Sequence, residues 1–356
     1  MTSPASQKLE NTVGVVAIGR NEGERLKRCL TSVQATGAPC VYVDSQSDDN
    51  SIEIARASGA DVVELDISGG FTAAKARNAG FRQLIAANPD LSYVQFIDGD
   101  CELVAGWLET AVDWLTAHSA VAVVAGRRRE RFRDNTIFNR HCDMEWATPT
   151  GFAATIGGDA LYRIDAFEDV GGFNDAFICG EEPELCRRLR IAGWKVERID
   201  VEMTLHDAAI TSWAQWWKRT KRGGWAFAEG ADRFGGKDAA FVDNYNVKET
   251  RSIWRWGAII PMLIIAASIL AIIGVPGAAL AAYGGVLLYP LMSVRIAIKR
   301  IGDHGDRVPD ALIYGALTML GKIPEFAGAL KFYRSKKSDA PAELIEYKAA
   351  GPENSR

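Results

Sequence analysis

Two long apolar runs near the C-terminal end, Gly257 to Val275 and Ala278 to Val294, constrain this chain more than any other feature. Neither contains a charged residue, and each is nearly or fully long enough to cross a bilayer, which takes about 20 apolar residues of helix. Only Pro276-Gly277 lies between them, so they read as a tight helical hairpin with an uncharged far turn. Arg251 and Arg255 precede the pair, and Arg295, Lys299 and Arg300 follow it. The positive-inside rule places both flanks on the cytoplasmic side. Trp254, Trp256, Tyr283 and Tyr289 suit interfacial or packing positions. Gly and Pro interrupt both runs, so a buried helical pair in a soluble protein and a shallow hairpin are the competing readings.

With 356 residues the chain exceeds one comfortable core, and a catalytic domain plus an appendage is expected. A formal net charge of −4 gives no basic field that would gather nucleic acid, which is disfavoured as a partner. Cys29, Cys40, Cys101, Cys142, Cys179 and Cys186 form no CxxC pair and suit a reducing compartment. The first ten residues lack the basic and apolar regions of a signal peptide, so none is expected. The expected location is the inner (cytoplasmic) membrane, with the catalytic domain facing the cytoplasm.

The first half alternates β-branched runs with helical patterns. Strands are predicted at Val13–Ile18, Cys40–Asp44, Asp61–Leu65, Tyr93–Ile97 and Val121–Ala125, and helices at Glu24–Ser32, Ser51–Ala57, Ala73–Ala87 and Leu108–Thr116. Such alternation implies βαβ units and a mostly parallel sheet covered by helices on both faces. Ligands in open α/β sheets bind beyond the carboxyl ends of strands. Asp98-Gly-Asp-Cys-Glu102 stands at such an end, and two carboxylates spaced by one residue can share a divalent cation that also holds a diphosphate. A cation there, Mn²⁺ or Mg²⁺, neutralises charge growing on a departing phosphate oxygen.

Further segments give that turn a context. Val13-Gly-Val-Val-Ala-Ile-Gly-Arg-Asn-Glu22, Val43-Asp-Ser-Gln-Ser-Asp-Asp-Asn-Ser51, Ala74-Lys-Ala-Arg-Asn-Ala-Gly80, the acidic turn, Gly157-Gly-Asp-Ala-Leu-Tyr-Arg163, Val170-Gly-Gly-Phe-Asn174 and Cys179-Gly-Glu-Glu-Pro-Glu-Leu-Cys-Arg-Arg-Leu189 follow one another in order. Together they resemble the elements of family 2 glycosyltransferases with the GT-A fold, across about residues 12 to 210. The resemblance implies a nucleotide-diphosphate sugar donor. It puts Asn21 and Glu22 in the nucleotide-binding elements, Asp44 and Asp48 at the base or ribose, and Arg77 near the diphosphate. Asp98 and Asp100 would be the acidic pair, Asp100 the direct metal ligand, and His206 a third ligand. The bland reading of Asp44 and Asp48 is turn capping. His206 can equally be structural.

The family's general base is the second residue of a Glu-Asp pair, and this chain has Glu181-Glu182 there. Glu182 is the expected base, on a side chain one methylene longer, with Glu181 beside it. At a helix N-terminus the dipole is expected to lower its pKa. The run Arg127-Arg-Arg-Glu-Arg131 reads either as a phosphate-binding patch or as a solvated edge.

The expected division is a flexible N-terminus over 1–11, a GT-A domain over 12–210, an interfacial helical region over 211–252, a membrane hairpin over 253–296, an interfacial segment over 297–333 and a disordered tail over 334–356. Trp213, Trp216, Trp217 and Trp225 among Lys218, Arg219, Lys221 and Arg222 suggest a helix resting on a membrane surface. An anchored enzyme implies a membrane-associated acceptor, either lipid-linked or a polysaccharide. A processive synthase would bring more spans and a Gln-x-x-Arg-Trp motif, which Gln215-Trp-Trp-Lys-Arg219 does not match. A silent nucleotide-sugar-binding scaffold is disfavoured by the acidic pair together with Glu182, and a nucleotidyltransferase by the absence of a Gly-rich basic signature near the first strand.

Overall fold

The computed structural model describes residues 9, 11–68, 70–235 and 245–338. The chain divides into two compact units. Of the described residues, the first comprises those up to Arg133 together with Glu145–Ala209, and the second Asp134–Met144 together with those from Ile210 to Ser338.

The first unit is built on a mixed sheet of nine strands among the described residues. These are β1 (Val13–Gly19), β2 (Cys40–Asp44), β3 (Asp61–Glu64), β4 (Tyr93–Asp98), β5 (Cys101–Leu103), β6 (Val121–Glu130), β7 (Gly151–Phe152), β8 (Ala160–Arg163) and β9 (Lys195–His206). The order is β3-β2-β1-β4-β8-β6-β9-β5, with β7 added against β9. Strands β1 to β4 pair in parallel, as the alternation predicts, because α1 (Glu24–Gln34), α2 (Ser51–Ala57) and α3 (Ala73–Ala87) supply the crossovers. Helix α4 (Trp107–Ala117) precedes β6.

Beyond β4 the expected mostly parallel sheet gives way. Strand β8 is antiparallel to both β4 and β6, and β5 is antiparallel to β9. The short β8 is entered from a glycine loop instead of a crossover helix, so no connection forces it to run parallel. Strands β5, β7 and β8, with two to four residues each, were too short to register as runs. Helices α5 (Ile137–Trp146) and α6 (Ile164–Asp169) were likewise not anticipated, whereas α7 (Glu181–Ile191) was.

Val13, Val15, Val16 and Ala17 on β1, with Phe96 and Ile97 on β4, are fully buried at the centre of the core. Gly80 lets α3 settle on the sheet: a Cβ there would run into the side chains of Val16 and Val43. The unit thus places the carboxyl ends of β1, β2 and β4 side by side, where the loops carrying the chemistry begin.

The second unit is helical. Its elements are most of α5, then α8 (Trp213–Phe234), α9 (Val247–Trp254), a π-helical turn (Arg255–Ile259), α10 (Ile260–Ile272), α11 (Ala278–His304), α12 (Val308–Leu320) and α13 (Lys322–Ser338). A capping box starts α8: Ser212 Oγ accepts from Gln215 N at 3.3 Å, and Gln215 Oε1 accepts from Ser212 N at 3.1 Å. One face of this helix packs within the unit. Trp216 and Trp225 are buried, and Trp225 meets Phe332 of α13 edge-on at 5.5 Å, while Trp213 and Trp217 are exposed. Gly224 and Gly328 let the two backbones approach, since a Cβ on either would strike the partner helix's carbonyl. The interfacial segment expected over 297–333 holds the end of α11 and then two helices, α12 and α13, divided at Gly321. Helix α13 continues through Ser338 into the expected tail, and the rest of that tail, like residues 1–8 of the expected N-terminus, lies outside the described residues.

Val247–Ile272 and Ala278–His304 are each long and apolar enough to cross a membrane. Few of their apolar side chains are covered: Met262, Leu263, Ile269, Ile272, Leu280 and Leu291 are all exposed. A buried core pair would show the opposite.

Candidate functional site

Three connections at one end of the sheet carry the polar groups of the first unit. The first follows β1. Asn21 adopts a left-handed φ of 57°. Its Oδ1 accepts from Asp48 N at 2.8 Å, and its backbone N donates to Ser47 Oγ at 2.9 Å. Glu22 N donates to Ser51 Oγ at 3.2 Å, and the Glu22 carboxylate pairs with Arg25 at 2.9 Å. The β1 and β2 loops are thereby locked together.

The second connection follows β2. Asp44 is fully buried and accepts from Tyr42 Oη at 3.1 Å, from Ser47 N at 2.7 Å and from Ser47 Oγ at 2.6 Å. The turn-capping reading of Asp44 is therefore realised, while the Asp48 side chain is exposed.

The third follows β4 and holds the acidic turn. Gly99 keeps the turn close to β1, where a Cβ would come 3.1 Å from the Ile18 carbonyl, a tight contact. The turn separates its two aspartates. Asp98 accepts from Arg77 Nη2 at 2.8 Å and from Arg128 Nη2 at 3.0 Å, and its backbone N donates to Asp159 Oδ1 at 3.1 Å. Asp100 is buried and faces His206, with 3.1 Å from Oδ2 to Nε2. The three expected metal ligands thus form two groups, with Asp98 held by guanidiniums and Asp100 paired with the imidazole. On the far side of the ring, His206 Nδ1 lies 3.1 Å from Glu130 Oε2, and Trp146 packs on the ring edge-to-face at 4.7 Å. Burial works against a charged imidazole, but Asp100 and Glu130 outweigh it and raise the His206 pKa.

Arg77 is the centre of the constellation. It is 2% exposed, and its Nη1 donates to Glu181 Oε1 at 2.7 Å, while Nη2 bonds Asp98 and lies 3.2 Å from Glu182 Oε1. Phe173 lies under the guanidinium at 5.4 Å. Asn78, one residue on, grips the backbone of Phe173 on both sides, at 2.8 Å to its O and 3.0 Å from its N. Gly158 passes so close that a Cβ would meet Arg77 Nη2 and approach Glu182 Oε1 to 3.0 Å.

Glu181 and Glu182 open α7 after Gly180, whose φ is 88°. The expected lowering of the Glu182 pKa is overturned. Burial, followed by the neighbouring Glu181, outweighs Arg77 and raises it from 4.5 to about 7. A helix terminus favours a carboxylate that water also solvates, and this one is largely withdrawn from water.

Sequence reading passed over several members of the site. Within the basic run the strand alternates: Arg127 pairs outward with Asp200 and Arg129 with Glu202 at 3.7 Å. Arg128 turns inward, to Asp98 and to Asp159 at 3.1 Å, over the Trp146 ring at 5.1 Å. Period-two geometry was the available signal for Arg128. Asp159 stood inside a quoted motif without a role, and Trp146 offered no signal.

Six carboxylates, Asp98, Asp100, Glu130, Asp159, Glu181 and Glu182, gather around two guanidiniums, Arg77 and Arg128. That excess of negative charge, and an imidazole whose second nitrogen is anchored by a carboxylate, fit a divalent cation at Asp100 and His206.

Residues 15–171 match the model of the family described as glycosyl transferase family 2. The chain is 27% identical over 202 residues to the glycosyltransferase AglE of Haloferax volcanii, covering 52% of this chain and 63% of that one. It is 27% identical over 210 residues to the succinoglycan biosynthesis protein ExoA of Rhizobium meliloti, covering 55% and 63%. Both matches thus span somewhat under two thirds of the relative's length. Among solved structures, the mannosyltransferase PcManGT of Pyrobaculum calidifontis, in complex with GDP-Man and Mn²⁺, superposes with a TM-score of 0.60 at 18% identity, over 94% of this chain and 90% of that one. That neighbour shares the fold. By its ordered motifs, its sheet and the match over residues 15–171, the chain is similar to glycosyl transferase family 2, and its first unit has a GT-A-like fold.

Proposed function

We propose that this chain is an inverting, metal-dependent glycosyltransferase that moves a sugar from a nucleotide-diphosphate donor to a hydroxyl of a membrane-associated acceptor, lipid-linked or polysaccharide. The observation that carries this reading is the Arg77 bridge. One buried guanidinium joins Glu182 at 3.2 Å to Asp98 at 2.8 Å, so the candidate base and the acidic turn share a single fixed charge.

Glu182 takes the proton of the acceptor hydroxyl, which attacks the anomeric carbon from the side opposite the departing diphosphate. A carboxylate raised to about 7 is matched to that task near neutral pH. Asp100 and His206 are the residues that hold the cation, with Glu130 fixing the imidazole. Mn²⁺ or Mg²⁺ bound there supplies neutralisation of the leaving diphosphate. Arg77 lies near the diphosphate and orients Glu182. Asn21, Glu22 and Asp44 shape the nucleoside loop, from which the exposed Asp48 reaches the ribose or base.

The exposed apolar helices anchor the enzyme in the membrane as a hairpin, with the first unit on the side of the basic flanks, the cytoplasmic face of an inner membrane. A membrane-bound acceptor is then within reach. The name of one relative, a succinoglycan biosynthesis protein, is in keeping with a polysaccharide acceptor.

The test is transfer from a panel of nucleotide sugars to lipid-linked acceptors in proteoliposomes, with Glu182→Gln and Asp100→Ala alongside. Both variants lose turnover, and Glu182→Gln still binds donor. Full turnover by either variant removes that residue from the mechanism.

A further inference from the structure

The residue that follows the metal-facing aspartate is a cysteine, and the fold brings its sulfur into the same group. Cys101 opens β5 and stands directly opposite His206 in the antiparallel β5–β9 pair. Cross-strand partners share a face, with Cβ atoms about 4.5–5.5 Å apart. Its Sγ lies 3.5 Å from Asp100 Oδ1, and His206 Nε2 lies 3.1 Å from Asp100 Oδ2. All three residues are buried, and their ligand atoms lie within 4.8 Å of one another.

We propose that Cys101, Asp100 and His206 form a sulfur, oxygen and nitrogen ligand set that binds a thiophilic divalent cation, zinc or cadmium, in preference to the hard cation used for transfer. The proposal rests on the metal reading above only in sharing two of its ligands.

Tetrahedral zinc has Zn–S of about 2.3 Å and Zn–N or Zn–O of about 2.0–2.2 Å, which sets neighbouring ligand atoms roughly 3.3–3.8 Å apart. The 3.5 Å from Cys101 Sγ to Asp100 Oδ1 falls in that range, and His206 Nε2 approaches the other oxygen of the same carboxylate. The surroundings are built as well. Glu130 holds the second imidazole nitrogen, and Arg128 Nη2 donates to Cys101 Sγ at 2.9 Å, a hydrogen bond that a metal-bound thiolate accepts. On binding, the S–H bond breaks, a metal–sulfur bond forms, and the thiol proton passes to solvent. Oxygen-only ligand sets favour magnesium and manganese, whereas a thiolate and an imidazole favour zinc and its heavier congener. A second acidic trio, Asp98, Cys101 and Asp159, is different, because the Arg128 guanidinium already contacts all three.

The experiment titrates cadmium chloride into the full chain in detergent micelles, following the sulfur-to-cadmium charge-transfer band in the ultraviolet. Wild type gives a saturable band at one equivalent. Cys101→Ser loses the band. His206→Asn, with the thiol in place, retains it but weakens binding by more than about 100-fold, beyond what an outer-shell partner contributes. Cys179→Ser matches wild type. No band in wild type, an unchanged band in Cys101→Ser, or unchanged affinity in His206→Asn overturns the proposal. Circular dichroism of each variant separates loss of the site from loss of the fold. The band reports on the ligand set whether or not sugar transfer is observed, so a failure of this proposal is distinguishable from a failure of the transfer reading.

Discussion

Glu130 Oε2 lies 3.1 Å from His206 Nδ1, and this contact decides which imidazole nitrogen faces Asp100. Glu130 is itself fixed by the backbone N–H of Ala208 at 3.1 Å and of Phe132 at 3.2 Å. Glu130→Gln keeps the shape and removes the charge. Manganese affinity, measured by electron paramagnetic resonance of free Mn²⁺, is expected to fall about 10- to 100-fold. An unchanged affinity removes His206 from the ligand set.

Arg77 neutralises carboxylates that have little access to water, Glu181 above all. Arg77→Leu leaves them uncompensated, and breaking a buried pair from one side costs about 3–5 kcal/mol. The melting temperature of the variant in micelles is expected to drop accordingly, and Glu181→Gln in the same background recovers part of the loss.

The raised pKa of Glu182 sets two pH dependences of opposite sign. Transfer requires the ionised base, so the rate rises with pH and levels off above about 7. Stability behaves inversely. The folded state holds this proton more tightly than the unfolded chain, so the contribution is complete below 4.5 and is lost as pH rises to about 7. Glu182→Gln mimics the protonated form. Its melting temperature relative to wild type is expected to climb across that window, and a constant difference contradicts the assignment.

Gly158→Ala inserts a methyl group against Arg77 and Glu182. The bridge must shift, and misplacement of about 1 Å costs roughly 100-fold in rate. Turnover is expected to fall by that order, with secondary structure unchanged by circular dichroism.

Ile269 on α10 is 55% exposed and apolar. An arginine near the middle of a spanning helix costs about 2.5–3.5 kcal/mol. Ile269→Arg is expected to increase the fraction released by alkaline carbonate extraction, whereas a helix outside the bilayer is indifferent to the change.

The parallel half of the sheet was legible because each strand there is a β-branched run bounded by helical periodicity, and Cys40–Asp44, Ser51–Ala57 and Ala73–Ala87 fall at their expected limits. In the other half β6 was legible over Val121–Ala125, whereas its short neighbours were hidden by brevity: β8 has four residues and β7 two, too few for alternation to show. At the site, residue types were readable and partnerships were not. The spacing of Asp98 and Asp100 suggests one shared cation, yet Gly99 turns them toward different neighbours, Arg128 and His206. The Glu182 shift lay out of reach for the same reason, since it arises from burial and from Glu181, and burial is a property of the packed chain.

Strand β6 presents three consecutive arginines, of which only Arg128 reaches Asp98 and Asp159, next to irregular register between Ala125 and Arg128. A slip of one residue in a strand moves every side chain to the opposite face. Here such a slip replaces Arg128 with Arg127 or Arg129, so the position facing the two aspartates remains an arginine. The triplet makes this one position tolerant of an alignment error, and single-residue insertions or deletions ahead of Arg127 should disturb the apolar face of β6 before they discharge the site.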